Sequence, residues 1–278
     1  MSHLSHIRSK RLAFWTRRAL RKIGIGRPPH RQAEPYPPSA IPRILWLYWE
    51  QGFEAAPELV RACVDSWRSL NPNWDIHLLD EASAAEWVDM PRLPDTIASA
   101  HKADVLRTRL LAQHGGVWAD ATAWCLRPLD EWLPVAGYAG FFTFSWRNPD
   151  ARIITVPWPR LVGNWFIAAA PENALIAEWD RVSCAYWHGR GEAGNYFWHN
   201  DALEYVIRAD VAARQIWDAM PKISAGPPHF AWLALEHGTD KDRARSAIAT
   251  GAIPVQKLSW RMDTDLNDLK SMLGAGRG

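Results

Sequence analysis

A chain of 278 residues with 48% hydrophobic and 22% charged side chains can bury a substantial core as one large domain or two small ones. It has no run of about 18 apolar residues, which excludes a membrane-spanning helix. Cys63, Cys125 and Cys184 lack metal-binding spacing and leave an odd thiol, which suits a reducing cytoplasm. The 18 tryptophans supply either packing or surfaces that stack on bases and sugars.

The net charge of +2 is unevenly spread. Residues 1–31 hold nine Lys/Arg and no acid, leaving 23 basic against 30 acidic residues, a net of −7, for the rest. Leu12, Trp15, Ala19 and Ile23 share a helical face in that basic start, with Leu20 alongside. This is the pattern of an interfacial helix held by anionic lipid; a disordered tail fits it equally. An organellar transit peptide is a weaker match, and no apolar core of a secretory signal follows the charges. Because the basic residues cluster in this segment while the remainder is acidic, nucleic-acid binding is not expected.

Residues 26–42, "GRPPHRQAEPYPPSAIP", form a proline-rich linker. The division is therefore a basic amphipathic segment and linker over 1–40 and one domain over 41–278. "RILWLYW" reads as a central strand, "PELVRACVDSWRSLNP" as a helix facing Leu59, Cys63 and Trp67 inward, and "WDIHLLD" as a second strand. "EASAAEWVD" reads as a helix, and "MPRLP" interrupts. The longest predicted helix covers "DTIASAHKADVLRTRLLAQHGG", with Asp95 as N-cap and Gly115 just past its end. Strands follow at "VWAD", "AGFFTFS", "RIITV" and "NWFIAAA", with helices in 172–188 and 195–219, then "IPVQKLSWR" and a short acidic helix. Alternating strands and helices at the start argue for parallel pairing with right-handed crossovers. Sites in such sheets lie beyond the carboxyl ends of the strands, where Asp120 falls.

"HKADVLRTRLLAQHGGVWAD" is the segment that carries chemistry. Asp104 and Arg107, three apart on a helix, project as neighbours, pairing an acceptor with a five-donor fork able to grip a polyhydroxyl ring or a phosphate. Gly115-Gly116 turns the chain back into a strand that delivers Asp120. A strand-end carboxylate is a hard oxygen ligand suited to Mg²⁺ or Mn²⁺ with a bound diphosphate. Each feature also has an ordinary reading, as a solvated ion pair, a turn-former or a helix stop. Their joint spacing favours a site.

The run Ala103-Asp104-Val105-Leu106-Arg107, Leu110-Leu111, Gly115-Gly116-Val117-Trp118, Asp120-Ala121-Thr122 closely resembles the capsular polysaccharide synthesis family of glycosyltransferases. That family is related to the DXD-type sugar-binding glycosyltransferases and, more distantly, to the clostridial glucosylating toxins. "IPRILWLYWEQG", "APELVRACVDSW", "NPNWDIHLLD", "NWFIAAAPEN" and "VQKLSWR" stand in family order, so the resemblance covers most of the chain from Ile41.

The resemblance implies a single GT-A-like α/β domain with a Rossmann-type mixed, mainly parallel sheet flanked by helices. It also implies a hexosyltransferase that retains anomeric configuration, while the cysteine usage and the basic start lead us to expect it in the cytoplasm, at the inner membrane face. The donor is a nucleotide-diphosphate sugar, taken as a UDP-sugar, and the acceptor a surface polysaccharide or lipid-linked glycan. Carried over by position, Asp104 and Arg107 hold donor hydroxyls, Asp120 is the first carboxylate of the metal motif, and Asn164 faces the donor near the reacting carbon. Trp46 stacks on the base with Tyr48 nearby, while Lys257, Ser259 and Trp260 close over diphosphate and metal. The implied ligands of Mn²⁺ or Mg²⁺ are Asp120, Thr122, Gln256 and Ser259. Two departures stand out: Thr122 occupies the place of the motif's second aspartate, and Gln256 stands where relatives often have His or Glu. For a general base, His199 and Asp201 are the candidates, with His101 and His114 behind them. The rival readings are a glycosidase, which needs two opposed carboxylates, a nucleotide-sugar hydrolase, and a non-catalytic carbohydrate- or nucleotide-sugar-binding module.

Overall fold

The structure, a computed structural model, describes residues 40–146 and 161–274. The basic amphipathic segment, most of the linker and the expected strand "RIITV" lie outside these residues. Strand β1 (Ile44–Tyr48) is an apolar run whose Leu45, Trp46 and Leu47 are fully buried, as a strand covered on both faces requires. Helix α1 (Glu58–Leu70) turns Val60, Cys63, Val64 and Trp67 inward and ends at Asn71. β2 (Asp75–Leu79) then pairs parallel to β1, with Trp46 opposite His77.

The expected helix at 81–89 is a single turn, α2 (Glu81–Ala84), closed by a capping box between Asp80 and Ser83. The long helix begins later than expected. α3 (Ser99–His114) starts after Ala98, and Asp95 sits in a preceding turn in which the Ile97 N–H bonds to the Pro94 carbonyl. Its end is as expected at Gly115, and the double glycine is required by space as well as by conformation. Gly115 and Gly116 have φ of +67° and +93°; a Cβ on Gly116 would lie 2.6 Å from the Ile44 carbonyl oxygen. The chain can therefore reverse tightly into β3 (Gly116–Ala119), which pairs parallel to β1 on the side away from β2.

β4 (Ala123–Cys125), α4 (Leu129–Ala136), β5 (Phe141–Ser145), β6 (Val162–Ala169) and α5 (Ala174–Tyr186) follow. The expected helix over 195–219 is two helices, α6 (Trp198–Ala209) and α7 (Val211–Ala219), because Asp210 leaves the helix and caps the next one through the Ala213 N–H. The chain ends in α8 (Phe230–Glu236), α9 (Lys241–Ala249), β7 (Val255–Lys257) and α10 (Leu266–Leu273).

The main sheet has the order β2-β1-β3-β6-β5. Four of its five strands run the same way and β6 alone is inverted, antiparallel to both neighbours. The α/β architecture with a mixed, mainly parallel sheet flanked by helices is thus present. A two-stranded sheet, β4 against β7, stands apart from it. A second apolar cluster, including Trp124, Ile248, Leu258, Leu269 and Met272, packs the C-terminal helices behind that small sheet and fixes β7. Most tryptophans in the described residues are core: Trp46, Trp67, Trp118, Trp179 and Trp198 are almost wholly buried.

Candidate active site

The inversion of β6 decides the site. Its amino-terminal end lies at the same edge as the carboxyl end of β3, and the Asp120 N–H donates to the Trp165 carbonyl at 2.8 Å. Asp120 from the end of β3 and Asn164 from β6 therefore meet over the middle of α3, which supplies Asp104 and Arg107.

Arg107 joins them. Its Nη2 lies 3.4 Å from Asp104 Oδ1 and 3.5 Å from Asp120 Oδ1, Nη1 donates to the Asn164 carbonyl, and Nε donates to Ala103 O at 3.2 Å. The guanidinium also lies over the Trp118 ring, whose Nε1 donates to Asp120 Oδ1 at 3.1 Å. Asp104 Oδ1 accepts from Asn164 Nδ2 at 3.0 Å, and the same amide nitrogen is 3.1 Å from His199 Nδ1. The four residues expected to be catalytic thus form one connected cluster. Exposure grades within it: the side chains of Asp104 and Arg107 retain 10% and 7%, that of Asp120 28%. Asp104 and Arg107 are the floor, and Asp120 is the carboxylate a ligand can reach.

Burial alone would raise the Asp104 carboxyl, but the Arg107 guanidinium beside it holds it below the ordinary carboxylate range. An ionised, salt-bridged Asp104 cannot be the protonated acid that a glycosidase needs. Burial drives His199 down to about 3, outweighing the pull of Asp104, so its ring is neutral near neutral pH. It is 1% exposed and stacked on Trp179 at 4.4 Å, a structural role rather than that of a base. Asp201 accepts from Asn195 Nδ2 at 3.0 Å and anchors a loop. His101 accepts from Trp198 Nε1 at 3.0 Å on Nδ1, which leaves its proton on Nε2 as a donor. His114 Nε2 lies 2.9 Å from the Trp87 carbonyl, and its ring packs near Trp46.

The residues expected to bind donor and metal divide. Trp46 is 0% exposed, donates from Nε1 to the Gly115 carbonyl at 2.9 Å and stacks on His77, with Trp87 against its edge. A base cannot stack on it, and this corrects the expectation. Tyr48 is also buried, near Trp118, and burial, with Glu50 next, pushes its phenol up to about 12. The aromatic surface offered at this edge is instead Trp49, one residue beyond β1, set edge-on to Trp260 at 6.2 Å. Trp260 is 48% exposed, and Trp49 is half-buried. Sequence alternation along β1 gave no hint of Trp49, because the turn after Tyr48, not the strand, sets its direction.

Gln256 is likewise corrected. It is 0% exposed; its Oε1 accepts from the Ala231 N–H at 2.9 Å and its Nε2 donates to the Pro227 carbonyl at 3.1 Å. Strand alternation that turns Gln256 inward turns Lys257 toward the site. Lys257 Nζ donates to Thr122 Oγ1 at 2.6 Å and to Leu258 O at 3.0 Å, and lies 3.6 Å from Asp120 Oδ2. Ser259 Oγ accepts from the Arg261 N–H at 3.3 Å.

These donors do not fit a divalent metal. Gln256 is sealed, the Thr122 hydroxyl holds an ammonium, and each oxygen of Asp120 already faces a cation. An ion bound to Asp120 Oδ2 would lie within about 6 Å of Lys257 Nζ, a repulsion of about 5 kcal/mol or more at an effective dielectric of ~20. Among the described residues, no group of three or more His, Cys, Asp or Glu is arranged to hold a metal.

Beside the cluster, a cavity of about 740 Å³ is lined by Thr96, His101, Trp187, Glu192, Asn195 and Tyr196. His101 Nδ1 is 3.5 Å from Asp104 Oδ2, so one side chain separates the cavity from the floor of the site. Tyr196 is 66% exposed and borders the His101 ring at 5.6 Å.

The O-glycosyltransferase braB of Annulohypoxylon truncatum is 24% identical over 179 residues, covering 58% of this chain and 42% of that protein. Glycosyltransferase afumC of Aspergillus fumigatus is 27% identical over 164 residues, covering 53% of this chain and 41% of its own. The chain therefore spans about two fifths of the length of these curated relatives. Among solved structures, PaToxG Glycosyltransferase is similar over 69% of this chain and 84% of its own, at 15% identity and a TM-score of 0.40. The family described as capsular polysaccharide synthesis protein matches residues 6–275. With a match of that extent, this chain belongs to the capsular polysaccharide synthesis protein family.

Proposed function

We propose that the chain is a glycosyltransferase that moves a hexose from a nucleotide-diphosphate sugar, a uridine diphosphate sugar, to a polysaccharide or lipid-linked glycan. The observation that carries this reading is Arg107 bridging Asp104 and Asp120 at the carboxyl edge of the parallel strands, with Lys257 on the far side of Asp120. A buried guanidinium and a part-exposed ammonium bracketing one accessible carboxylate suit a ligand with both hydroxyls and phosphates. The family name and the names of the relatives support the same class of reaction.

In this reading the sugar sits over Asp120 and the edge of Asp104, and Asn164 holds the Asp104 carboxylate toward it. Trp49 and Trp260 border the nucleotide. The glycan acceptor enters the cavity beside His101, where the exposed Tyr196 offers a ring face to a sugar and Asn195 and Glu192 offer polar groups. The acceptor oxygen bonds to the anomeric carbon as the bond from that carbon to the diphosphate oxygen breaks. The electron pair stays on the diphosphate, which takes the acceptor's proton. That route needs no separate base, in keeping with the engaged states of His199 and Asp201, and it retains configuration. The basic start of the chain would hold the enzyme at the anionic inner face of the cytoplasmic membrane. Among the described residues no helix is long and apolar enough to cross a membrane.

Calorimetry with a panel of uridine diphosphate sugars tests the donor; failure of all of them to bind defeats the reading. Asp120→Asn should lower transfer by at least about a hundredfold with an unchanged circular dichroism spectrum. Transfer at the wild-type rate would remove Asp120 from the site.

A further inference from the structure

Lys257 stands beside Asp120, the accessible carboxylate of the cluster, with its Nζ 3.6 Å from Asp120 Oδ2. It stands on β7, register-paired with Ala123 of β4, one residue from Thr122. Both strands are held from behind: the Leu258 N–H donates to the Thr122 carbonyl at 2.9 Å, and Gln256 is bonded at both ends of its amide. The backbone that carries the ammonium is thus fixed, and Thr122 Oγ1 and Leu258 O hold its tip. Its side chain keeps 20% exposure, so it is open to a ligand as Asp120 is. Two of its contacts, Thr122 Oγ1 and Leu258 O, are neutral acceptors that orient the charge without cancelling it.

We propose that the Lys257 ammonium takes the place of the divalent cation, so that this chain binds its donor and discharges the diphosphate without a metal. The proposal rests on the donor reading above. In the transfer step, the bond from the anomeric carbon to the diphosphate oxygen breaks, its electron pair remains on that oxygen, and Lys257 meets the charge that grows there. A fixed ammonium serves the electrostatic part of the role that a bound cation otherwise has. The Thr122 hydroxyl holds the ammonium in place and is a positioning residue.

The test is calorimetry and donor turnover with uridine diphosphate sugars, on the full chain, in EDTA and in added Mn²⁺. Wild-type affinity and turnover should agree within about twofold between the two buffers. Lys257→Met should weaken donor binding at least about tenfold, and Lys257→Arg should restore most of it, each with its melting temperature recorded. Lys257→Asp, which places a second carboxylate beside Asp120, should make donor binding respond to Mn²⁺. Binding by the wild type only when Mn²⁺ is present overturns the proposal and leaves the donor reading standing. So does a folded Lys257→Met protein that binds like the wild type. Binding of no nucleotide sugar in either buffer overturns the donor reading and the proposal with it.

Discussion

Replacing Arg107 by Met tests whether the cluster is an electrostatic unit. Met matches much of the aliphatic stem and removes the charge that Asp104 and Asp120 share at 3.4 and 3.5 Å. At an effective dielectric of ~20, each contact is about 5 kcal/mol of attraction before desolvation is subtracted. Stranding one member of a buried pair costs about 3–5 kcal/mol, and Asp104, with 10% of its side chain exposed, is the member that cannot escape to water. Asp120, more open, adds little. The deficit also has a pH signature. In the wild type the Asp104 carboxyl is held below its ordinary range, so its contribution is complete above the unfolded value of about 4 and is lost as pH falls through the lower folded value. In Arg107→Met, burial loses its main opponent and the folded value rises above the unfolded one, so the ionised carboxylate destabilises the fold at neutral pH. Urea unfolding at about pH 7.5 should therefore show the full 3–5 kcal/mol loss, and at about pH 5 a distinctly smaller one. A loss below about 1 kcal/mol at neutral pH, or an equal loss at both, would refute the argument.

Trp46→Phe should cost about 1–3 kcal/mol in urea unfolding, because the Gly115 carbonyl loses its partner, while donor affinity stays within about twofold; a large loss of affinity with intact stability would return Trp46 to the donor site. Tyr196→Ala should raise the KM for glycan acceptor about tenfold and leave the donor Kd unchanged, measured by initial rates and calorimetry; a change in donor affinity alone would move the cavity to the other substrate.

The legible part of the site was the part written locally. Asp104 and Arg107 lie on one helix, joined by one glycine turn to the strand that ends at Asp120, so their joint spacing favoured a site and the family resemblance assigned their roles. The structure gives the glycines a reason the sequence did not state: Gly116 has a positive φ and a Cβ on it would meet Ile44. The β1-α1-β2 order gave the parallel pairs for the same local reason. What failed depended on distant cover. Trp46 reads as a strand-end aromatic, yet Trp87 and His114, which close over it, come from a later turn and from the end of α3. Gln256 reads as a ligand, yet its partners are backbone groups of Pro227 and Ala231, in the turn before α8 and its first residues, whose approach to β7 no periodicity predicts. Asp95 has the chemistry of an N-cap, but the turn that Pro94 starts delays the helix to Ser99.

Thr122 and Lys257 lie 135 positions apart in sequence, and they explain each other. Asp104 and Asp120 supply two negative charges and Arg107 and Lys257 two positive ones, so the cluster is balanced as it stands. An aspartate at position 122 would pair with Lys257 and leave the cluster one charge negative toward an incoming diphosphate, a deficit that only an added cation would reverse. A threonine bonds the same ammonium without neutralising it. The hydroxyl that looks like an impaired metal ligand in the sequence is, in the fold, the acceptor that aims a resident cation. On that reading the threonine at 122 and the lysine at 257 act together in how the site holds phosphate.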